Sequence, residues 1–303
     1  MTSSENGNIS DYELIANTGT SLIPKTSTSN VFHGQKVAVI LPVFKDDYNK
    51  WYEFFVKRMI PSLNHLAGLP IIFLIGFQRF DDGEIDWLLK SMKQYLGDEF
   101  DFRFFSRCFP TPPSMFLIRE EIAKLYNDSD FYIFWDDDMK FSPNVAIRYR
   151  QIIEFLIQNP RCGSVMATPH SKKILPPGIE RRDNIMWSTY SGLFLRNLKD
   201  QKWRVVNGDS LKCKGGLEDT YAIYSRMDLG YWAAKAYNVP VIHRATRIDD
   251  RFEETAEWKG RYPKEDDMHN PENLDIIKLI MSKWDENWFY KSGRIPRGIP
   301  NIK

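Results

Sequence analysis

The stretch that decides the fold is Ser114–Asp138, SMFLIREEIAKLYNDSDFYIFWDDD. It reads as an amphipathic helix, a short polar turn, a buried strand and then three consecutive aspartates. Isolated aspartates would equally suit a solvated acidic loop. Ligands of open parallel sheets lie outside the carboxyl ends of the strands. We therefore expect Asp136, Asp137 and Asp138 to project from the functional edge of a sheet.

Apolar runs of strand length alternate with amphipathic helices on both sides of this stretch. The predicted strands are 36–44, 70–77, 101–108, 130–135, 162–170, 191–197 and 239–244. The predicted helices are 51–63, 84–96, 114–127 and 144–158, and another begins at Glu218. This alternation predicts an α/β fold, in which one Rossmann-like, mainly parallel sheet is flanked by helices.

Composition limits what kind of protein this is. The chain has 303 residues and a formal net charge of +1, so no global field attracts nucleic acid or an anionic membrane. The scattered Cys108, Cys162 and Cys213 have no metal-ligand spacing and favour a reducing compartment. No segment reads as a signal peptide or a membrane span. We expect a soluble cytoplasmic protein without a membrane partner. A viral protein that acts in the cytosol of its host would also meet this expectation.

The order of these features resembles the GT-A fold of nucleotide-sugar-dependent glycosyltransferases, over about residues 36–244. The helix, strand and aspartates of Ser114–Asp138 are similar to the stretch in which that family carries its DxD motif. The resemblance implies a glycosyltransferase domain over 34–254. Before it, residues 1–33 are rich in Ser, Thr, Asn and Gly and predict a flexible arm. After it, the pattern of residues 255–303 predicts a C-terminal helix and a basic tail.

The resemblance also implies roles for particular residues. Asp136 and Asp138 take the two DxD positions and, with His243, hold Mn²⁺ or Mg²⁺. Asp219, with Glu218 beside it, resembles the xED element, whose last carboxylate is the catalytic base of inverting members. The donor, a UDP-sugar by preference, would contact a set around the first and fourth strands: Pro42, Asp47 (or Asp46), Arg119, Asp136 and Asp137. The acceptor would contact Trp187 and Gly216.

The sequence departs from the family near the nucleotide base. The first strand leads into PVFKDD and the second into GFQRFDDG, so Asp81 and Asp82 come late. The choice between UDP and another nucleotide stays open. Each assignment also has a structural alternative: acidic residues favour helix N-termini, as at Glu218 and Asp219, and Arg119 could pair with acidic neighbours on its own helix.

The acceptor is the least defined part of the prediction. The family includes soluble enzymes that glycosylate DNA bases, so the hydroxymethyl group of a modified base is one candidate. Two basic segments would suit such a polyanion: the loop-like 171–184, with Lys172, Lys173, Arg181 and Arg182, and the tail, with Lys291, Arg294, Arg297 and Lys303. A cytosolic glycan or a small molecule is the alternative acceptor. A nucleotidyltransferase and an inactive binding module are the alternative functions.

Overall fold

The computed structural model describes residues 31–32, 34–45, 51–97, 100–107, 115–169, 178–182, 192–198, 218–227 and 229–243. Its strands are β1 (Val31–Phe32), β2 (Gln35–Phe44), β3 (Ile72–Gln78), β4 (Asp101–Arg107), β5 (Phe131–Phe134), β6 (Met139–Phe141), β7 (Cys162–Pro169), β8 (Ile179–Arg182), β9 (Leu193–Arg196), β10 (Trp232–Val239) and β11 (Val241–His243). Its helices are α1 (Tyr52–Met59, wound as a π-helix and continued by turns at Ile60–Ser62 and Leu63–Leu66), α2 (Asp82–Leu96), α3 (Met115–Ala123, followed by a 3₁₀ turn at Lys124–Tyr126), α4 (Val145–Gln158) and α5 (Glu218–Met227).

The central sheet has the strand order β4-β3-β2-β5-β9-β7-β10-β8. Pairing is parallel from β4 through β5 and between β7 and β10, whereas β9 is antiparallel to both of its neighbours. The chain runs outward from β2 through β3 to β4 and then returns to the other side of β2 as β5. This reversal is a topological switch point, and open α/β sheets bind ligands in the crevice above such a point.

Burial on both faces explains why the parallel strands are almost continuously apolar. Every residue of β3, β5 and β7 is buried. Helix α3 packs directly on β2 and β3 because Gly76 has no side chain. A Cβ atom there would lie 2.8 Å from Ile122 and 2.9 Å from Phe105. This close approach fixes α3, the helix that carries Arg119, over the switch point.

The predicted fold class is confirmed, since the chain is mixed α/β with a large, mostly parallel sheet flanked by helices. One prediction was wrong in detail, because the segment read as a loop, 171–184, contains the strand β8, which pairs with β10. The strand β10 itself lies in a stretch for which the sequence analysis predicted no element. Val31 and Phe32, at the end of the expected arm, pair with β2. Within the part of the chain that the structure describes, no helix is long and apolar enough to cross a membrane.

Candidate active site

The central feature of the site is the turn Asp136–Asp138, which follows β5 at the switch point. Trp135, fully buried, anchors the start of the turn: its N–H donates to the Ile40 carbonyl at 3.1 Å and its ring lies 4.6 Å from that of Phe141. Strand β6 begins directly after the turn and leads into the small β6–β11 sheet. The carboxylates are therefore held between two anchored strands, as the sequence predicted for the edge of the sheet.

Asp136 forms an ion pair with Arg119 of α3. The Nη2 atom of Arg119 lies 2.6 Å from Oδ1 of Asp136, and the guanidinium lies 4.6 Å from the ring centroid of Phe134. The Arg119 side chain is 1% exposed, whereas that of Asp136 is 27% exposed. Arg119 therefore lies next to the predicted nucleotide site, but its contact toward that site is with the Asp136 carboxylate.

Asp138 has a different cationic neighbour, Arg58 on the π-helix α1. Partial burial lowers the pKa of the Arg58 guanidinium, and the Asp138 carboxylate opposes that shift. The Oγ atom of Ser62, just after α1, accepts a hydrogen bond from the Phe141 N–H at 2.9 Å and connects this region to β6. π-helical turns are rare and frequently occur at functional sites. Asp136 therefore pairs with an arginine of α3, and Asp138 lies in the field of an arginine of α1.

Asp137 and Pro42 are connected through the backbone of β2. Alternate residues of β2 direct their backbone groups toward β5: the Ile40 carbonyl accepts from Trp135, and the Phe44 N–H donates to Oδ2 of Asp137 at 3.4 Å. Pro42 lies between them and has no N–H to donate. Proline is tolerated here because β5 ends at Phe134, before a ladder bond at this level would be required. The backbone of Pro42 therefore faces the carboxylate turn.

Asp219 lies in the first turn of α5. The other end of α5 is fixed by Arg226, whose Nη2 donates to the carbonyl of Arg196 at 2.8 Å. Arg196 pairs with Phe131 at the amino end of β5. Seven residues of helix span about 10 Å, and a helix that precedes a parallel strand runs opposite to it. Asp219 therefore lies toward the carboxyl edge, where the turn projects.

A divalent cation of the Mg²⁺ or Mn²⁺ type requires oxygen ligands, supplemented by imidazole in the case of Mn²⁺. Asp136 and Asp138 supply carboxylates, and the pairing of β11 with β6 places His243 opposite Met139, next to Asp138. Among the side chains that the structure describes, no group of three or more His, Cys, Asp or Glu residues lies close enough together to hold a metal. The His243 side chain is outside that set. The residue types at these positions fit such a cation, for which Asp136, Asp138 and His243 would be the ligands.

The remaining predicted residues divide into two groups. Glu218 begins α5 and His243 ends β11, but only their backbone positions belong to the described structure. The others lie outside the described residues: Asp46, Asp47, Trp187, Gly216, the basic residues Lys172 and Lys173, and the basic tail. Asp81, considered as a base-recognition residue, instead caps α2 in a reciprocal capping box with Glu84.

The sequence analysis missed three residues beside the site. Arg58 gave no signal because its proximity to Asp138 is a long-range contact. Arg79 follows β3 with a positive φ of 64° and lies 5.0 Å from the ring of Phe44, a strained conformation that no local pattern announces. Gln78 ends β3 with a side chain only 1% exposed, a polar residue in an apolar strand that could have been noticed.

Comparison with known proteins shows similarity of backbone structure only. No family model and no curated protein sequence matches this chain. Residues 1–349 of TarS from S. aureus superpose with a TM-score of 0.42 and 12% identity, over 67% of this chain and 60% of that one. GalNAc-T7, crystallised with UDP, GalNAc and Mn²⁺, gives a TM-score of 0.49 and 11% identity, over 84% of this chain and 50% of that one.

A third likeness is to the mannosyltransferase PcManGT from Pyrobaculum calidifontis, in complex with GDP-Man and Mn²⁺. Its TM-score is 0.40 with 10% identity, over 68% of this chain and 57% of that one. The chain therefore spans between half and three fifths of the length of these three proteins. Every one of these TM-scores is below 0.5, so the function is argued from the residues of this chain.

Gln78 leads to a prediction about stability. Its Nε2 and Oε1 atoms are buried and have no hydrogen-bond partner, which costs free energy that an apolar side chain of similar size would not incur. We expect Gln78→Met to raise the free energy of unfolding by about 1 kcal/mol, measured by urea denaturation. Asn197→Leu is the control, because the amide of Asn197 donates to the Ser129 carbonyl at 2.7 Å. The control should be destabilised; a destabilised Gln78→Met would contradict the prediction.

Proposed function

We propose that this chain is a metal-dependent, inverting glycosyltransferase. It moves a sugar from a nucleotide-diphosphate sugar, a UDP-sugar by preference, to an acceptor hydroxyl. The observation that carries the proposal is the carboxylate turn at the topological switch point, with Asp219 directed to the same edge of the sheet. A transferase site needs negative groups for a cation and a base for an acceptor, and in this proposal the turn and Asp219 would supply them.

Each carboxylate has its own task in this proposal. Asp136 and Asp138, with His243, would hold the cation, and Pro42 and Asp137 would lie along the nucleotide. Asp219 accepts the proton of the acceptor hydroxyl while the hydroxyl oxygen attacks the anomeric carbon of the sugar. The bond from that carbon to the diphosphate oxygen breaks, and its electron pair leaves with the nucleoside diphosphate. Attack opposite the leaving group inverts the anomeric configuration.

A bound divalent cation would supply stabilisation of the negative charge that grows on the departing diphosphate. The protein side of that task is to keep two carboxylates at the edge of the sheet without allowing them to repel each other. Arg119 and Arg58 serve this purpose, since each lies beside one of them.

The acceptor in this proposal is the hydroxymethyl group of a modified base in DNA, with a cytosolic glycan or a small molecule as the alternative. Exposed cations on the edge strand β8 support a polyanionic partner. Arg181 lies 5.5 Å from the ring of Trp232, and the side chain of Arg182 is 47% exposed. Glu180 pairs with Arg182 at 2.8 Å and offsets part of that charge.

Removing a cation ligand should make donor binding independent of metal. We expect Asp138→Asn to abolish transfer and to weaken sugar-nucleotide binding only when Mn²⁺ or Mg²⁺ is present. Wild-type protein is first screened with a panel of sugar nucleotides for metal-dependent hydrolysis, and the best donor is then titrated calorimetrically with and without metal. Asp130→Asn, at the amino end of β5, is the matched control. Equal metal dependence in the wild type and in Asp138→Asn would refute the assignment of the cation site.

Loss of the base should affect turnover and spare donor binding. General-base assistance contributes about 10²–10⁴-fold, so we expect Asp219→Asn to lower kcat by that factor while the donor KM stays near that of the wild type. Glu218→Gln is the matched control in the same helical turn and should keep most of its activity. If Glu218→Gln is the inactive variant, Glu218 is the base. A product that retains the anomeric configuration of the donor would contradict inversion.

A DNA acceptor predicts binding that depends strongly on salt, because phosphate contacts release counterions. We expect hydroxymethylated duplex DNA to bind and to accept sugar at low salt, and both to decline at moderate salt. Arg181→Gln with Arg182→Gln should weaken binding, whereas Lys57→Gln, which removes a cation paired with Glu53 on α1, should not. If the wild-type protein neither binds nor modifies DNA at low salt, the glycan or small-molecule alternative replaces this acceptor.

A further inference from the structure

Arg119 has a geometry that differs from that of a nucleotide-binding arginine. Its side chain is 1% exposed, its Nη2 atom lies 2.6 Å from Oδ1 of Asp136, and its guanidinium is stacked 4.6 Å from the ring centroid of Phe134. A ligand above the turn would meet Asp136, which is 27% exposed, before it could reach the guanidinium. The Asp136 carboxylate therefore lies between the Arg119 guanidinium and the site.

We propose that Arg119 is a positioning residue that orients the Asp136 carboxylate and makes no contact with the donor. This inference rests on the proposed function for its consequence in catalysis, but its geometry is independent of it. A guanidinium is planar and rigid, so stacking on Phe134 and bonding to Oδ1 together restrict the rotation of the carboxylate. The Asp136 carboxylate is then held in one orientation toward the site.

The packing of α3 explains how the guanidinium is placed so accurately. Gly76 allows Ile122 of α3 to approach the sheet closely, and Arg119 lies three residues before Ile122 on the same helix face. Phe134 and Ile40 are register partners, so the ring under the guanidinium belongs to the strand pair that ends at the turn. Any change in the position of α3 would therefore be transmitted to Asp136.

Arg196, the last residue of β9, is a matched control at the other end of β5. Arg196 lies 5.0 Å from the ring of Phe131, and its Nη2 atom donates to the Leu156 carbonyl at 2.6 Å. It is thus a partly buried arginine stacked on a phenylalanine of β5, but it faces the amino edge of the sheet. Its loss should cost stability without any effect on the turn.

The test compares Arg119→Met, Arg119→Lys and Arg196→Met in the full-length protein. Binding of Mn²⁺ alone is followed by electron paramagnetic resonance, and kcat and KM are measured with the donor found in the screen. Loss of a residue that orients a metal ligand typically costs about 10- to 100-fold in metal affinity. We expect that loss for Arg119→Met, partial recovery for Arg119→Lys, and a kcat near that of the wild type at saturating Mn²⁺. Arg196→Met should bind Mn²⁺ as the wild type does.

A double-mutant cycle separates positioning from direct donor contact. In an Asp136→Asn background, Arg119→Met should produce no further loss of Mn²⁺ or UDP affinity, because its effect acts through Asp136. A further loss of UDP affinity in that background would show direct contact and overturn the proposal. Arg119→Lys takes the place of Arg119→Met in the cycle if the latter does not fold.

Hydrogen exchange distinguishes failure of the positioning role of Arg119 from failure of the proposed function. The peptide spanning 135–141 should exchange faster in Arg119→Met than in Arg196→Met, whether or not any metal binds. If the wild type binds neither Mn²⁺ nor a sugar nucleotide but this peptide exchanges faster, the positioning role stands and the proposed function falls. If exchange in this peptide is the same in both variants, the positioning role is wrong.

Discussion

The pairing of β5 between β2 and β9 is the constraint on which the site depends. Only four residues, Phe131–Phe134, form this strand, and each is buried on the sheet. Because β5 returns to the side of β2 that β3 does not occupy, its end opens onto the switch point of the sheet. The next residues have no ladder to join, and Trp135 anchors them in an aromatic cluster with Phe141 and Tyr149. The three carboxylates are what this arrangement presents to solvent.

The repulsion of adjacent aspartates is relieved by a separate partner for each. Asp136 pairs with Arg119 from α3, Asp138 lies beside Arg58 from α1, and Asp137 accepts the Phe44 N–H from β2. Buried ion pairs contribute little net stability compared with apolar packing. Their value here is geometric, since three elements distant in sequence hold one turn. A site built in this way is sensitive to changes in helices that never touch the ligand.

Buried polar groups occur at both edges of the sheet. At the amino edge, the side chains of Arg196, Arg226 and Asn197 donate to backbone carbonyls, whereas Oδ1 of Asp101 and Oγ of Ser164 are buried without a hydrogen-bond partner. At the carboxyl edge, Gln78 is buried without a hydrogen-bond partner and Arg79 has a left-handed backbone. A left-handed backbone at a residue other than glycine is a costly local feature, and such features concentrate at functional sites because the surrounding structure can stabilise them.

The local sequence pattern was sufficient to predict the fold class and the position of the acidic turn. Apolar runs of strand length between amphipathic helices predict a parallel sheet, and carboxylates after a buried strand must lie at its end. Strand order was not predictable, nor was the antiparallel β9, because pairing depends on burial shared across the whole chain. Alanine-rich β10 became a strand because tertiary pairing with β7 outweighs local propensity. Arg119 shows the difference most clearly: its sequence neighbours are Glu120 and Glu121, but the packing of α3 on Gly76 directs it to Asp136, 17 residues away.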